Sequence, residues 1–177
     1  MKQRTLMRKH DIDLALQRIA LQILEKNAGT SHLAIVGIHT CGVFLARKLR
    51  AIIGAHFAQA VDYGTLDINL YRDDWSLVSQ NPVVRTTDIT FEVDGANLIL
   101  VDDVIFTGRT IRAAMDAIMD YGRPRTVQLA VLVDRGGREL PIQPDYTGLG
   151  AAVLPNERIT VRLGDGHGEN VVVIESE

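Results

Sequence analysis

Two adjacent carboxylates, Asp102 and Asp103, stand at the end of an apolar run, Leu98 to Val101. A short polar stretch follows, Phe106-Thr107-Gly108-Arg109-Thr110, and then a segment rich in Ala, Ile and Met. The order reads as strand, loop and helix, and it suits a sugar phosphate. The first turn of a helix carries N–H groups without intrahelical partners, and its dipole favours an anion. Gly108 lets backbone approach a phosphate closely. Thr107 and Thr110 add hydroxyl donors. Ionised Asp102 and Asp103 only accept hydrogen bonds, so they match the two neighbouring donors of a vicinal diol. Acids on the 2′ and 3′ hydroxyls and amides on the phosphate together describe a ribose 5-phosphate site. The same acids also suit Mg²⁺. A plain strand-to-helix turn with Asp and Thr as caps is the competing reading. Against it, paired acids at the end of a buried strand are costly unless something uses their charge. The segment lacks the Gly-Lys-Ser/Thr ending of a P-loop and the Gly-x-Gly-x-x-Gly of a dinucleotide site.

The surrounding pattern supplies the elements that position these residues. Ile12, Leu16, Ile19, Ala20, Ile23 and Leu24 recur at helical spacing, which predicts a helix over Asp11–Lys26 with one buried stripe. Leu33–Val36 is a short strand, Gly37–Gly42 a loop and Val43–Ile53 a helix. Leu66, Ile68 and Leu70 alternate with Asp67 and Asn69, which predicts a half-exposed strand. Tyr71–Asp88 is polar and aperiodic, a long loop in which Trp75 reads as a packing anchor. Ile99–Val101 is the central strand, and the helix after the acidic loop stops near Tyr121-Gly122-Arg123-Pro124. Val127–Val133 is an unbroken apolar run, as in a parallel strand buried on both faces. Ile159–Leu163 and Val171–Ile174 look like two strands around a Gly-rich turn. Alternating strands and helices predict a doubly wound, mostly parallel α/β sheet with ligands at the carboxyl ends of the strands. Three loops then converge there: Gly37–Gly42, Asp102–Thr110 and Asp134–Arg138.

The 177 residues suit one domain over 1–177, and no apolar run approaches the length of a membrane span. Met1 to His10 is basic but has no apolar core, so it does not read as a secretory signal. A single cysteine leaves no internal disulfide and fits a reducing cytoplasm. A net charge of −3 speaks against a general nucleic-acid-binding surface and leaves room only for a local basic face. His10, His32, His56 and His167 are scattered, without metal-ligand spacing.

Val101 to Thr110 resembles the 5-phosphoribosyl-1-pyrophosphate (PRPP) loop of type I phosphoribosyltransferases. Asp67-Ile68-Asn69-Leu70-Tyr71-Arg72-Asp73-Asp74, Leu129 to Gly136 and Arg138-Glu139-Leu140-Pro141-Ile142 narrow the likeness. They resemble the bifunctional pyrimidine operon regulator / uracil phosphoribosyltransferase family, from about Asp11 to the C-terminus.

The resemblance implies a type I phosphoribosyltransferase fold with a small hood. It implies a reaction in which uracil and PRPP give UMP and pyrophosphate, with Mg²⁺ as the metal. It assigns PRPP and UMP to Val104, Ile105, Phe106, Thr107, Gly108, Arg109 and Thr110. It gives the pyrophosphate to His39, Thr40, Cys41 and Gly42, catalytic roles to Asp102, Asp103 and Arg72, and the base to Val133, Asp134 and Arg135. Asp102 and Asp103 are also its metal candidates, through ligand and water. It implies at least a homodimer. A sibling activity on a purine or orotate is the weaker alternative. The resemblance also implies a UMP-responsive RNA-binding attenuator of the pyrimidine operon, alone or beside the enzyme. This chain departs from the family at three places. Cys41 replaces an Arg, His39 a common Lys, and Gly137 a common His. The first helix offers Asp13, Leu14, Gln17 and Leu21, and residues 143–153 lack Lys and Arg. These features predict weak or absent RNA binding, with Arg4, Arg8, Lys9, Arg18, Arg138 and Arg158 as the remaining candidates for phosphate contact.

Overall fold

The computed structural model describes residues 2–57, 60–73, 86–164 and 170–176. Trp75, Asp74, His167 and most of the long polar loop lie outside them. The elements run β1 (Lys2–Arg8), α1 (Lys9–Lys26), β2 (Leu33–Ile38), α2 (Cys41–Gly54), β3 (Asp62–Leu66), β4 (Asn97–Ile105), α3 (Arg109–Met119), β5 (Thr126–Asp134), β6 (Tyr146–Gly150), β7 (Glu157–Arg162) and β8 (Val171–Ser176).

Five strands form a parallel sheet in the order β3-β2-β4-β5-β6, with β4 in the middle. Successive side chains on a strand point to opposite faces, so each central strand feeds two cores. Leu33, Ile35, Ile99, Val101, Ala130 and Leu132 pack on one face with α1 and α2. Val36, Leu98, Leu100, Leu129 and Val131 pack on the other with α3. The stripe on α1 buries Ile12, Leu16, Ile19, Ala20 and Ile23 as its spacing predicts, with Ala15 added and Leu24 only partly buried. The helix begins two residues early because the Asp11 carboxylate accepts the Arg8 N–H at 2.9 Å.

The chain ends meet in a second, antiparallel sheet in the order β1-β8-β7. Its strands β7 and β8 match the two expected in the tail. β1 has no counterpart in the sequence reading, since its basic residues carry little apolar alternation. β6 was missed for a similar reason: its Gly-rich sequence reads as loop, and it is held as the last strand beside β5.

The Leu66–Leu70 expectation is corrected. The strand lies earlier, over Asp62–Leu66, and residues Asn69–Tyr71 form a 3₁₀ turn. The Asp67 carboxylate accepts the Asn69 N–H at 3.0 Å, which turns the chain out of the sheet and leaves Leu70 exposed. The Gly37–Gly42 loop is also shorter than expected. Gly37 and Ile38 complete β2, α2 starts at Cys41, and only His39 and Thr40 connect them.

Candidate active site

The acid pair sits near the carboxyl end of β4. Asp102 is 6% exposed, and its Oδ1 accepts the Asp103 N–H at 2.9 Å. Asp103 Oδ1 accepts the Val104 N–H at 2.9 Å, so each carboxylate is braced by the next amide. Burial pushes the Asp102 carboxyl well above the ordinary range, and the neighbouring Asp103 charge adds to the effect. The expected pair of ionised acceptors is therefore modified. The charged form of Asp102 is disfavoured until a donor or cation offsets its charge.

Three residues link β4 to α3. Gly108 precedes the first helical residue with φ 92°, a left-handed conformation that a Cβ would strain. Thr107 Oγ1 accepts the Arg109 N–H at 3.3 Å. The first turn of α3 contains no acidic residue, so nothing on the helix competes with an anion for its amides. Arg109 reaches over this turn, with Nη1 2.6 Å from Asp73 Oδ2 and Nε 2.6 Å from Glu139 Oε2. A cavity of about 300 Å³ opens here, lined by Arg72, Asp73, Thr107, Arg109 and Thr110. Arg72 thus shares a wall with the helix start, although it lies well away in sequence. Ile105 is 1% exposed, so its side chain belongs to the core, and its carbonyl accepts the Arg135 N–H at 3.1 Å. Val104 is half-buried and packs against the first cluster. Their side chains hold the loop; they do not line the cavity.

The other two connections arrive beside it. The β2–α2 turn is pinned by the His39 N–H to Leu66 O at 3.0 Å, and its His39-Thr40 peptide is cis. His39 Nε2 lies 3.2 Å from Thr86 O. Cys41 Sγ is 3.7 Å from Val161 O, which sets the small sheet next to this turn. A Cβ on Gly42 would clash with the Val101 carbonyl oxygen and sit 3.2 Å from Asp102 Cα. The start of α2 therefore presses directly on the strand that carries the acids.

At the end of β5, Val133 is fully buried and contributes packing. The Asp134 carboxylate is committed to Arg138, at 2.9 and 2.7 Å, and to the Gly136 N–H at 2.9 Å. Arg138 holds this carboxyl below the usual carboxylate range. The same guanidinium donates to Ile142 O at 2.8 Å and Phe106 O at 3.0 Å. The Thr107 carbonyl accepts the N–H groups of Glu139 and Leu140 at 3.0 and 3.1 Å. The three expected loops do converge. Arg138, which the sequence leaves as a candidate for phosphate contact, is the staple that joins two of them. The Asp134-to-Arg138 spacing was the available signal, since a turn of this length brings such a pair together.

Among the described residues, no group of three or more His, Cys, Asp or Glu side chains could hold a metal ion. The donor set here is Asp102 and Asp103. It suits a magnesium ion that arrives on phosphate oxygens and keeps its water, not one caged by protein. No helix among the described residues is long and apolar enough to cross a membrane.

Comparison with known proteins shows the family and the fold. Residues 3–165 match the phosphoribosyl transferase domain. The chain is 49% identical over 172 residues to the bifunctional protein PyrR of Syntrophobacter fumaroxidans, covering 97% of this chain and 92% of that one. It is 51% identical to the PyrR of Pelotomaculum thermopropionicum, covering 94% and 92%. It is 46% identical to the PyrR of Deinococcus radiodurans, covering 95% and 92%. Among solved structures, the hypoxanthine phosphoribosyltransferase of Trypanosoma cruzi superposes with a TM-score of 0.72 at 18% identity, covering 98% and 96%. That likeness concerns the fold.

Proposed function

The chain is a phosphoribosyltransferase and belongs with the bifunctional PyrR proteins, and on that premise we propose that it makes UMP and pyrophosphate from uracil and PRPP. One observation carries the reading. The acid pair lies near the end of β4, with five residues between it and the acid-free start of α3, and the start of α2 is pressed against the same strand. A pentose with a phosphate at one end and a diphosphate at the other has contacts of the right kind in each direction.

In this reading the amides of Thr107 to Thr110 and their hydroxyls hold the 5′-phosphate. Asp102 and Asp103 hold the ribose hydroxyls. The turn His39-Thr40-Cys41-Gly42 and Arg72 receive the pyrophosphate. Uracil N1 forms the new bond to the anomeric carbon as the carbon–oxygen bond to pyrophosphate breaks, and the N1 proton passes to water or the leaving group. Positive charge on the ribose is stabilised by the adjacent acids, and negative charge on the leaving group by Arg72 and the amides. Most of the acceleration then comes from positioning. Magnesium, when bound with the substrate, neutralises the diphosphate; Asp102 and Asp103 are the residues that would hold it. Val133, Asp134 and Arg135 shape the base site through backbone and through the Arg138 staple. The reading takes residues 1–177 as one cytoplasmic domain in a homo-oligomer.

The test is a steady-state assay with PRPP and each of uracil, hypoxanthine, guanine and orotate. Uracil is the expected substrate, and the Asp102→Asn/Asp103→Asn protein should lose turnover. Preference for another base, or full activity in that variant, overturns the assignment.

The relatives' name also raises a second role, an RNA-binding regulator that responds to UMP. Several cations such a role would use are occupied. Lys9 pairs with Asp13 at 2.8 Å, Arg18 donates to Thr147 O at 3.2 Å, and Arg138 is built into the site. The open face of α1 presents Leu14 and Leu21, 50% and 58% exposed. Phosphate contacts dominate such affinity, so we propose weak binding at most. A gel shift with the leader RNA of its own operon decides it: tight, salt-sensitive binding strengthened by UMP would reverse this reading.

A further inference from the structure

The connection between β4 and α3 carries one large apolar side chain. Phe106 is 43% exposed, in a loop otherwise built of Thr, Gly and Arg. The guanidinium of Arg135 lies over its ring, 3.9 Å from the centroid. Arg135 Nε is buried with no hydrogen-bond partner among the described residues, which leaves the ring contact as a compensating interaction for that edge of the guanidinium. The Phe106 carbonyl is fixed by Arg138 at 3.0 Å. An edge of the ring lies where a side chain at residue 137 would be. A Cβ built on Gly137 would clash with Cε2 and come within 3.0 Å of Cδ2. One face of the ring is thus capped by a cation, one edge is seated on a bare glycine, and the exposed surface is what remains.

An exposed aromatic ring with one face backed by a guanidinium is a surface for another flat ring. The cation draws on the electron density of the covered face, and stacking on the other needs no hydrogen-bond pattern. We propose that Phe106 is the stacking platform for the nucleobase, held in place by Arg135 and admitted to its position by Gly137. The inference rests on the phosphoribosyltransferase reading above and adds the base contact to it. It also gives the glycine at residue 137 a role of its own: any side chain there displaces the platform.

The test measures separate KM values for uracil and PRPP. Stacking a base on an aromatic side chain contributes enough that its loss weakens binding roughly tenfold or more. Phe106→Leu should therefore raise the uracil KM about tenfold and leave the PRPP KM within about twofold, and Phe106→Tyr should recover most of the loss. Gly137→Ala should reproduce the uracil-selective defect. Gly136→Ala is its control. Both glycines have positive φ, 69° and 76°, but a Cβ at Gly136 meets nothing within 4 Å. Backbone strain alone would make the two variants alike, and a displaced ring makes Gly137→Ala the worse. The double variant Phe106→Leu/Gly137→Ala should be no worse for uracil than Phe106→Leu. A uracil KM untouched by Phe106→Leu, or additive losses in the double variant, overturns the platform. If the wild-type protein turns over no base with PRPP, the failure lies in the enzymatic reading instead.

Discussion

Gly42→Ala tests whether α2 and β4 are registered for chemistry. The added methyl would clash with the Val101 carbonyl oxygen and lie 3.2 Å from Asp102 Cα. Both neighbours are backbone of a strand hydrogen-bonded on each side, by β2 and β5, so neither can rotate away. Carbon contacts become attractive near ~3.5 Å, so relief requires the start of α2 to back off by something on the order of 1 Å. Overpacking of this kind costs about 1–3 kcal/mol. For a chain of this size each kcal/mol lowers the melting temperature by about 2–4 °C. Misplacement by about 1 Å at a reacting centre costs on the order of 100-fold in rate. The loss in kcat/KM for PRPP should therefore be near 100-fold at a temperature where the variant is still folded.

Gly54→Ala on the same helix is the control. Nothing lies within 4 Å of its built Cβ, and it is the last residue of α2. It should be neutral or raise stability by about 0.5–1 kcal/mol through the unfolded chain. Thermal unfolding and UMP formation are measured on both variants and the wild type. If Gly42→Ala is as active as wild type, or loses activity only in proportion to its unfolded fraction, the contact does not set catalytic geometry and the reasoning fails.

Asp102→Asn removes a buried carboxyl whose charge is disfavoured while keeping the oxygen that accepts the Asp103 N–H. The folded form of the wild type holds its proton above the ordinary carboxylate range, so wild-type stability declines as pH rises through that interval. Without magnesium, the variant should gain on wild type by up to ~1.4 kcal/mol per pH unit there, and parallel melting curves against pH would exclude the effect. Asp134→Asn acts oppositely. Arg138 holds Asp134 below the usual range, so its stabilisation is present above that range and lost as pH falls through the lowered value. The variant should cost about 1–3 kcal/mol at neutral pH, and the gap from wild type should close in acid. Asn27→Ala probes the opposite, amino-terminal edge of the sheet. Asn27 Nδ2 donates to Gln128 Oε1 at 3.0 Å, and its Oδ1 accepts from Gln128 Nε2 at 2.9 Å and Asn97 Nδ2 at 3.2 Å. Loss of several of these partners in the interior should cost about 2–4 kcal/mol in urea unfolding. kcat/KM should stay within about twofold, and a large activity loss would contradict the separation of the two edges.

The acids, the glycine before α3 and the parallel order were legible in the sequence because each is local. A strand that must be apolar on both faces, and a helix start that must carry an unhindered backbone, leave marks within a few residues. Residues that act across the fold left fainter ones. Asp134 stands in the expected base-binding turn, but the partner of its carboxylate was not legible: it is Arg138, and only the loop that folds back from β5 makes that pairing. Arg109 was expected on phosphate, yet it already bridges Asp73 and Glu139 from two separate segments. Both cases have the same cause. A charge in sequence declares its sign but not its partner, and the partner decides whether it is available to a ligand. The Arg109 guanidinium has five N–H donors, and these two contacts take two of them, so a phosphate can join without breaking either ion pair. Exposed pairs of this kind commonly contribute about 0.2–1 kcal/mol each, whereas a phosphate also takes the amides of α3. The phosphate has the advantage because the helix start offers it donors that the carboxylates do not use.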